Sequence, residues 1–114
     1  MVGSSFVASP AMASEADCSN YPGTICMAQH YDWTGHIWRQ YPSQISGCRR
    51  LSGDNFDNKA TIVVNNTDGN VGMYLYDNAD CSGSNWEYIP SRQIRSFKND
   101  PFNDKASAIR VVYY

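Results

Sequence analysis

The chain has 114 residues, 42% of them hydrophobic and 13% aromatic, which suffices for one domain with one core and leaves too little for two. Nine basic and eleven acidic residues are interspersed along it for a net charge of −2, so the electrostatic footprint of a nucleic-acid binder is missing. No run approaches the roughly 20 apolar residues that span a bilayer, and no membrane span is expected.

Residues 1–13, MVGSSFVASPAMA, are small, apolar and uncharged, and they end in Ala11-Met12-Ala13, the A-x-A form that a signal peptidase cuts. They read as the remnant of a secretory signal, with a disordered tail as the plainer alternative, and the domain is expected over 14–114. Four cysteines, Cys18, Cys26, Cys48 and Cys81, suit a secreted, extracellular protein in which they form disulfides. Three pairings exist. The expected one is Cys18–Cys26 with Cys48–Cys81, the second joining the two halves of the chain and contributing about 3–4 kcal/mol by loop entropy. Neither the cysteine spacing nor the two histidines, His30 and His36, suits zinc.

Along the domain, TICMAQH at 24–30 and HIWRQY at 36–41 read as a hairpin around Asp32 to Gly35. GMYLYDN at 72–78 and NWEYI at 85–89 repeat the design around Asp80-Cys81-Ser82-Gly83. Each pair leads through a polar stretch, with Pro42 or Pro90, to FDNKAT at 56–61 or FNDKAS at 102–107. A strand rich in residues suited to a half-buried pleat follows each, TIVVNN at 61–66 and AIRVVYY at 108–114. The turn formers Asn65 to Asn70 separate the two units. Phe56 and Phe102 lie 46 positions apart, while Gly35 and Gly83, Trp38 and Trp86, Pro42 and Pro90, and Ser43 and Ser91 lie 48 apart, so the chain is a duplication. About eight short strands in two fours predict an all-β sandwich of two Greek keys, over about 18–66 and 71–114. Recurrence at one offset also predicts equivalent core positions for Trp38 and Trp86, and buried plugs at Phe56 and Phe102.

These residues resemble the βγ-crystallin family, whose keys carry an aromatic, four residues, a second aromatic, any residue and Gly on the first hairpin. Tyr76 and Gly83 match in the second unit with Cys81 at the second aromatic, and Trp33 and Gly35 match in the first with Ala28 at the first aromatic. Microbial members carry [ND]-[ND]-x-x-[ST]-S late in each key as a calcium clamp. Asp57-Asn58-Lys59-Ala60-Thr61 and Asn103-Asp104-Lys105-Ala106-Ser107 follow it to the fifth position, and Ile62 and Ala108 replace the final Ser. The resemblance implies two Ca2+ sites using the side chains of Asp57, Asn58, Thr61, Asn103, Asp104 and Ser107 and the backbone carbonyls of Lys59 and Lys105. Calcium takes oxygen ligands of these kinds, and about one carboxylate per ion implies weak sites, of order 10⁻⁴–10⁻³ M. The plainer reading of the same residues is a pair of turns capped by their own side chains. The opening Cys18 through Gly23-Thr24-Ile25-Cys26 is also similar to small secreted bacterial proteins catalogued as a crystallin-like peptidase inhibitor family.

No nucleophile with a base and no carboxylate pair is singled out, so no enzyme is expected. The leading expectation is a monomeric, secreted calcium-binding module with a structural or protective role outside the cell. The alternatives are an inhibitor of an extracellular protease, presenting residues 42–55 or 90–101, and a toxin-like antifungal domain binding cell-wall glycan. Tyr31 and Trp33 on the first hairpin tip are the candidate contacts for a sugar or a protein partner, because they do not recur in the second unit.

Overall fold

Residues that alternate between apolar and polar side chains pair here into short antiparallel strands. Each of the six strands read from the sequence forms within two residues of its expected place. The structure, a computed structural model, describes residues 16–114; the expected signal remnant at 1–13 lies outside the described residues. Strands β1 (Thr24–Ala28) and β2 (Ile37–Gln40) make the first hairpin, followed by β3 (Arg49–Arg50) and β4 (Ile62–Asn66). Strands β5 (Val71–Tyr76) and β6 (Trp86–Ile89) make the second, followed by β7 (Gln93–Ser96) and β8 (Ala108–Tyr113). One helical turn, Ala16–Ser19, precedes β1, and short 3-10 turns at Pro42–Gln44 and Leu51–Asp54 flank β3.

The eight strands form two four-stranded sheets, with orders β2-β1-β4-β7 and β3-β8-β5-β6, and every pair is antiparallel. The third strand of each Greek key therefore sits in the other key's sheet. Ile25 and Met27 of β1, Val63 of β4 and Val71, Met73 and Leu75 of β5 turn inward to one core, joined by Ile89 and Ile109. Phe56 and Phe102 are buried in it as expected, and Phe102 packs against Phe97 with ring centroids 5.2 Å apart. Both expected disulfides form, Cys18–Cys26 and Cys48–Cys81.

The two tryptophans are not equivalent. Ala28 pairs with Ile37 across residues 29–36, whereas Tyr76 pairs with Trp86 across residues 77–85, so the second hairpin connection is one residue longer. A one-residue shift moves a side chain to the opposite face of a strand. Trp38 thus faces inward and is buried, opposite Met27, while Trp86 faces outward and is 46% exposed. The position equivalent to Trp38 is Glu87, opposite Leu75.

These two inward positions close the open sides of the sandwich. The Trp38 indole Nε1–H donates to Asp54 Oδ2 at 2.9 Å, and Arg49 of β3 grips the same carboxylate through Nε at 2.8 Å and Nη2 at 2.7 Å. On the other side Arg95 of β7 donates to Glu87 of β6 at 2.8 Å. Arg49, joined by Trp38, holds the Asp54 carboxyl below the ordinary aspartate value against the opposing effect of partial burial. A depressed carboxylate stabilises the fold above its unfolded value, about 3.9, and that contribution disappears as pH falls through the folded value. Acid unfolding of an Asp54→Asn variant, followed by circular dichroism, is expected to lose this part of the stability decline below about pH 4.

Removing the bridge between the two halves should cost more. A Cys48→Ser, Cys81→Ser variant is expected to lose about 3–4 kcal/mol in urea unfolding, because 33 residues separate the bridged positions. A loss below about 1 kcal/mol would show that the exchanged strands alone hold the halves together.

Candidate metal centre

The two loops FDNKAT and FNDKAS meet across a local two-fold relation. Each begins with its buried phenylalanine and ends in a hydroxyl residue, Thr61 or Ser107, just before β4 or β8. Counting from Asp57 and Asn103, the fifth position of each loop is tied to the first strand of its own key. The Thr61 backbone N–H donates to Ala28 O at 2.9 Å, and the Ser107 N–H to Tyr76 O at 2.8 Å. The same two residues receive the chain emerging from the exchanged strands, for Phe97 N–H donates to Thr61 O at 2.7 Å and Leu51 N–H to Ser107 O at 2.9 Å.

The second position of each loop reaches across to the other loop. Asn58 N–H donates to Ala106 O at 2.9 Å, and Asp104 N–H to Ala60 O at 3.2 Å. Asn58 and Asp104 have φ of 56° and 59°, a left-handed conformation that Asn and Asp adopt more readily than other non-glycine residues. Their side chains meet the opposite hydroxyls. Thr61 Oγ1 donates to Asp104 Oδ1 at 3.3 Å, and Ser107 Oγ to Asn58 Oδ1 at 3.2 Å. Each half of the centre therefore combines a hydroxyl from one loop with an amide or carboxylate oxygen from the other.

The first positions, Asp57 and Asn103, are half-buried, and they differ in their partners. The Asp57 carboxylate accepts a long bond from Asn58 Nδ2 at 3.5 Å. Asn103 Oδ1 is buried and is the one buried side-chain oxygen or nitrogen without a partner among the described residues. A buried acceptor without a donor costs about 1–3 kcal/mol. A hard cation would satisfy it. Lys59 Nζ is engaged by Asn55 O, to which it donates at 3.0 Å, and Lys105 is exposed. The donor set is thus all oxygen, with one carboxylate in each loop, and it suits calcium rather than a metal that prefers nitrogen or sulfur. Among the described residues no group of three His, Cys, Asp or Glu side chains converges, at this centre or elsewhere, so the centre rests on amide, hydroxyl and carbonyl oxygens beside its two carboxylates.

Solved structures that superpose on this chain include βγ-crystallin domains. The chain superposes with a TM-score of 0.63 on a domain studied for the evolution of the eye-lens βγ-crystallin domain fold, at 14% identity over 82% of this chain and 88% of that one. This chain has the βγ-crystallin fold. A βγ-crystallin domain from Clostridium beijerinckii, solved as a double mutant, gives a TM-score of 0.58 at 18% identity over 79% of this chain and 96% of that one. Spherulin 3a from Physarum polycephalum gives 0.56 at 17% identity over 82% and 88%. No family model matches the sequence, and no curated protein matches it. Within the βγ-crystallin fold the hairpin turns of the two keys agree: Asp32 accepts from Thr34 and Asp80 from Ser82, and Trp33 and Cys81 both have positive φ before Gly35 and Gly83.

The other sequence candidates are distributed differently. The Trp33 ring is half-buried against the Cys18–Cys26 disulfide cluster. Tyr31 is exposed, with Lys98 Nζ 3.7 Å from its ring centroid. Residues 42–55 hold β3, both 3-10 turns, Cys48 and the Arg49–Asp54 ion pair, and residues 90–101 hold β7, so both stretches are built into the framework. The carbonyls of Ala60 and Ala106, which lock the loops together, carry no side-chain signal that a sequence could display.

The cross-loop hydrogen bonds give the centre a measurable strength without any ion. Thr61→Val keeps the volume and removes the donor, and it is expected to lower stability by about 0.5–1.5 kcal/mol in chelator, read by urea unfolding. No change there would mean that the loops are held by their backbone bonds alone.

Proposed function

We propose that the chain is a calcium-binding module, stabilised by two disulfides, with a structural or protective role outside the cell. The observation that carries this reading is the buried Asn103 Oδ1 without a partner, set among oxygens that two loops bring together through reciprocal backbone bonds. Asp57, Asn58 and Thr61 from one loop and Asn103, Asp104 and Ser107 from the other would supply the side-chain ligands, with the carbonyls of Lys59 and Lys105 completing the two sites. When bound, the ion would neutralise the loop carboxylates and cross-link two segments that are far apart in sequence. It would act as a staple, because each site draws on both halves.

Secretion is supported by the disulfides, which persist in oxidising compartments, and by the A-x-A pattern at the N-terminus. Relatives of the bacterial, secreted type remain the proposed company for this chain.

The test is a thermal melt of the full chain, disulfides intact, in chelator and again in about 10 mM calcium, a level above the affinity expected of sites with few charged ligands. At a hundred times the dissociation constant one site adds about 2.7 kcal/mol, so a rise of several degrees is expected. Asp57→Ala with Asp104→Ala should abolish the rise. An unchanged melt in the wild-type protein would reduce the two loops to capped turns and end the calcium reading.

A further inference from the structure

The two hydroxyl residues of the metal centre are anchored alike but are not secured equally. Thr61 is held by backbone bonds with Ala28 and Phe97, and Ser107 by backbone bonds with Tyr76 and Leu51, all between 2.7 and 2.9 Å. Phe97 follows β7, whose four residues all pair with β4 and whose Arg95 is tied to Glu87. Leu51 follows β3, which gives only two rungs to the ladder with β8, Arg49 opposite Ile109 and Arg50 opposite Ala108. The Arg49 guanidinium does not strengthen this crossing, because Asp54 and Gln44 O, which it grips, belong to its own segment of the first key.

A covalent bond adds to those two rungs. Cys48 stands directly before β3, and its partner Cys81 packs against Tyr76 and Ala108. Tyr76 accepts the Ser107 N–H, and Ala108 follows Ser107 in the chain. The bridge therefore ties the segment that delivers Leu51 to the strand that holds Ser107 from the other side. Thr61 has no such tie. Cys18–Cys26 joins positions eight apart within the first key, and the cluster around it contains residues of that key alone.

The two bridges also differ in access. Cys18 and Cys26 are fully buried, whereas Cys48 is half-buried and Cys81 is 9% exposed. Thiol–disulfide exchange needs an attacking thiolate to reach a sulfur, so a dithiol opens Cys48–Cys81 first. Its thiolate bonds to Cys48 Sγ, the bond to Cys81 breaks, and Cys81 leaves as a thiolate that takes up a proton. The second thiol of the reductant then displaces Cys48 and closes a cyclic disulfide. Two electrons pass from the dithiol to the two protein sulfurs.

We propose that the Cys48–Cys81 disulfide is a redox latch on the Ser107 half of the metal centre. Its reduction by a dithiol leaves β3 on two rungs, loosens the hold of Leu51 on Ser107 and withdraws the Ser107 hydroxyl from Asn58, so calcium binds this half more weakly. The half that joins Thr61 to Asp104 keeps its ligands. Leu51 is itself fully buried, so the core stays in place when the bridge opens. The latch rests on the calcium reading above, and the coupling is reciprocal: an ion bound at the Ser107 half resists opening of the bridge.

The test reads the bridge rather than the ion. The full chain is equilibrated in mixtures of reduced and oxidised dithiothreitol, in chelator and in about 10 mM calcium, and each cysteine is then scored by alkylation and peptide mass spectrometry. For a site of order 10⁻⁴–10⁻³ M that is lost on opening, calcium is expected to raise the reduced-to-oxidised ratio that opens half of the Cys48–Cys81 bridges about ten- to a hundredfold. Ser107→Ala should remove most of that shift and Thr61→Ala should retain it, while Cys18–Cys26 stays closed; a thermal melt in chelator checks that both variants fold. The wild-type shift needs no variant. A wild-type melt that ignores calcium would end the calcium reading and the latch together. A melt that rises with calcium while the bridge midpoint stays fixed would overturn the latch alone. Equal loss of the shift in both variants, or opening of both bridges at one ratio, would trace the effect to stabilisation of the whole chain and would overturn the latch as well.

Discussion

Each Greek key gives its third strand to the other key's sheet, so neither half can satisfy its own backbone alone. β3 pairs only with β8, and β7 only with β4. Without the exchange, β4 and β8 would become edge strands with a row of unpaired donors and acceptors, the exposure that sheet proteins avoid. The exchange therefore makes one cooperative core out of two repeats that are each too small to bury one. The Cys48–Cys81 bridge reinforces the same crossing, since Cys48 immediately precedes β3 and Cys81 lies on the hairpin between β5 and β6.

The loops of the candidate metal centre sit where this exchange takes place. Thr61 and Ser107 each bond backward to the first strand of their own key and forward to the residue that follows an exchanged strand, Phe97 or Leu51. Oxygens on these residues are therefore placed by the whole sandwich rather than by a flexible turn. A cation bound there would cross-link segments separated by more than forty positions, which explains how weakly charged loops could still matter to stability.

The duplication has diverged on its outer surfaces. One outer face is sealed by a disulfide-tethered helical turn and the Trp33 ring, and the other carries the half-buried Tyr74 and Tyr88, an exposed tryptophan and two arginines. The sealed face explains why Trp33, although on a hairpin tip, is half-buried. The extra residue in the second hairpin is what brings Trp86 to the open face, because it reverses the side on which that ring emerges.

The sequence by itself determined the duplication, six of the eight strands, both phenylalanine plugs and the two oxygen-rich loops, because each has a local or periodic signal; it left three disulfide pairings possible, and the structure forms the expected one. Turn residues, alternating apolar positions and repeated letters are all visible along the chain. The exchanged strands were not legible. β3 has only two residues, and in β7 the pattern is inverted, with Ile94 exposed and Arg95 turned toward Glu87 at the sandwich edge. Only the tertiary structure decided which sheet receives each third strand, which of two look-alike tryptophans enters the core, and which loop oxygens meet. Those outcomes depend on register and on contacts between residues distant in sequence, and a shift of one position in either repeat would reverse them.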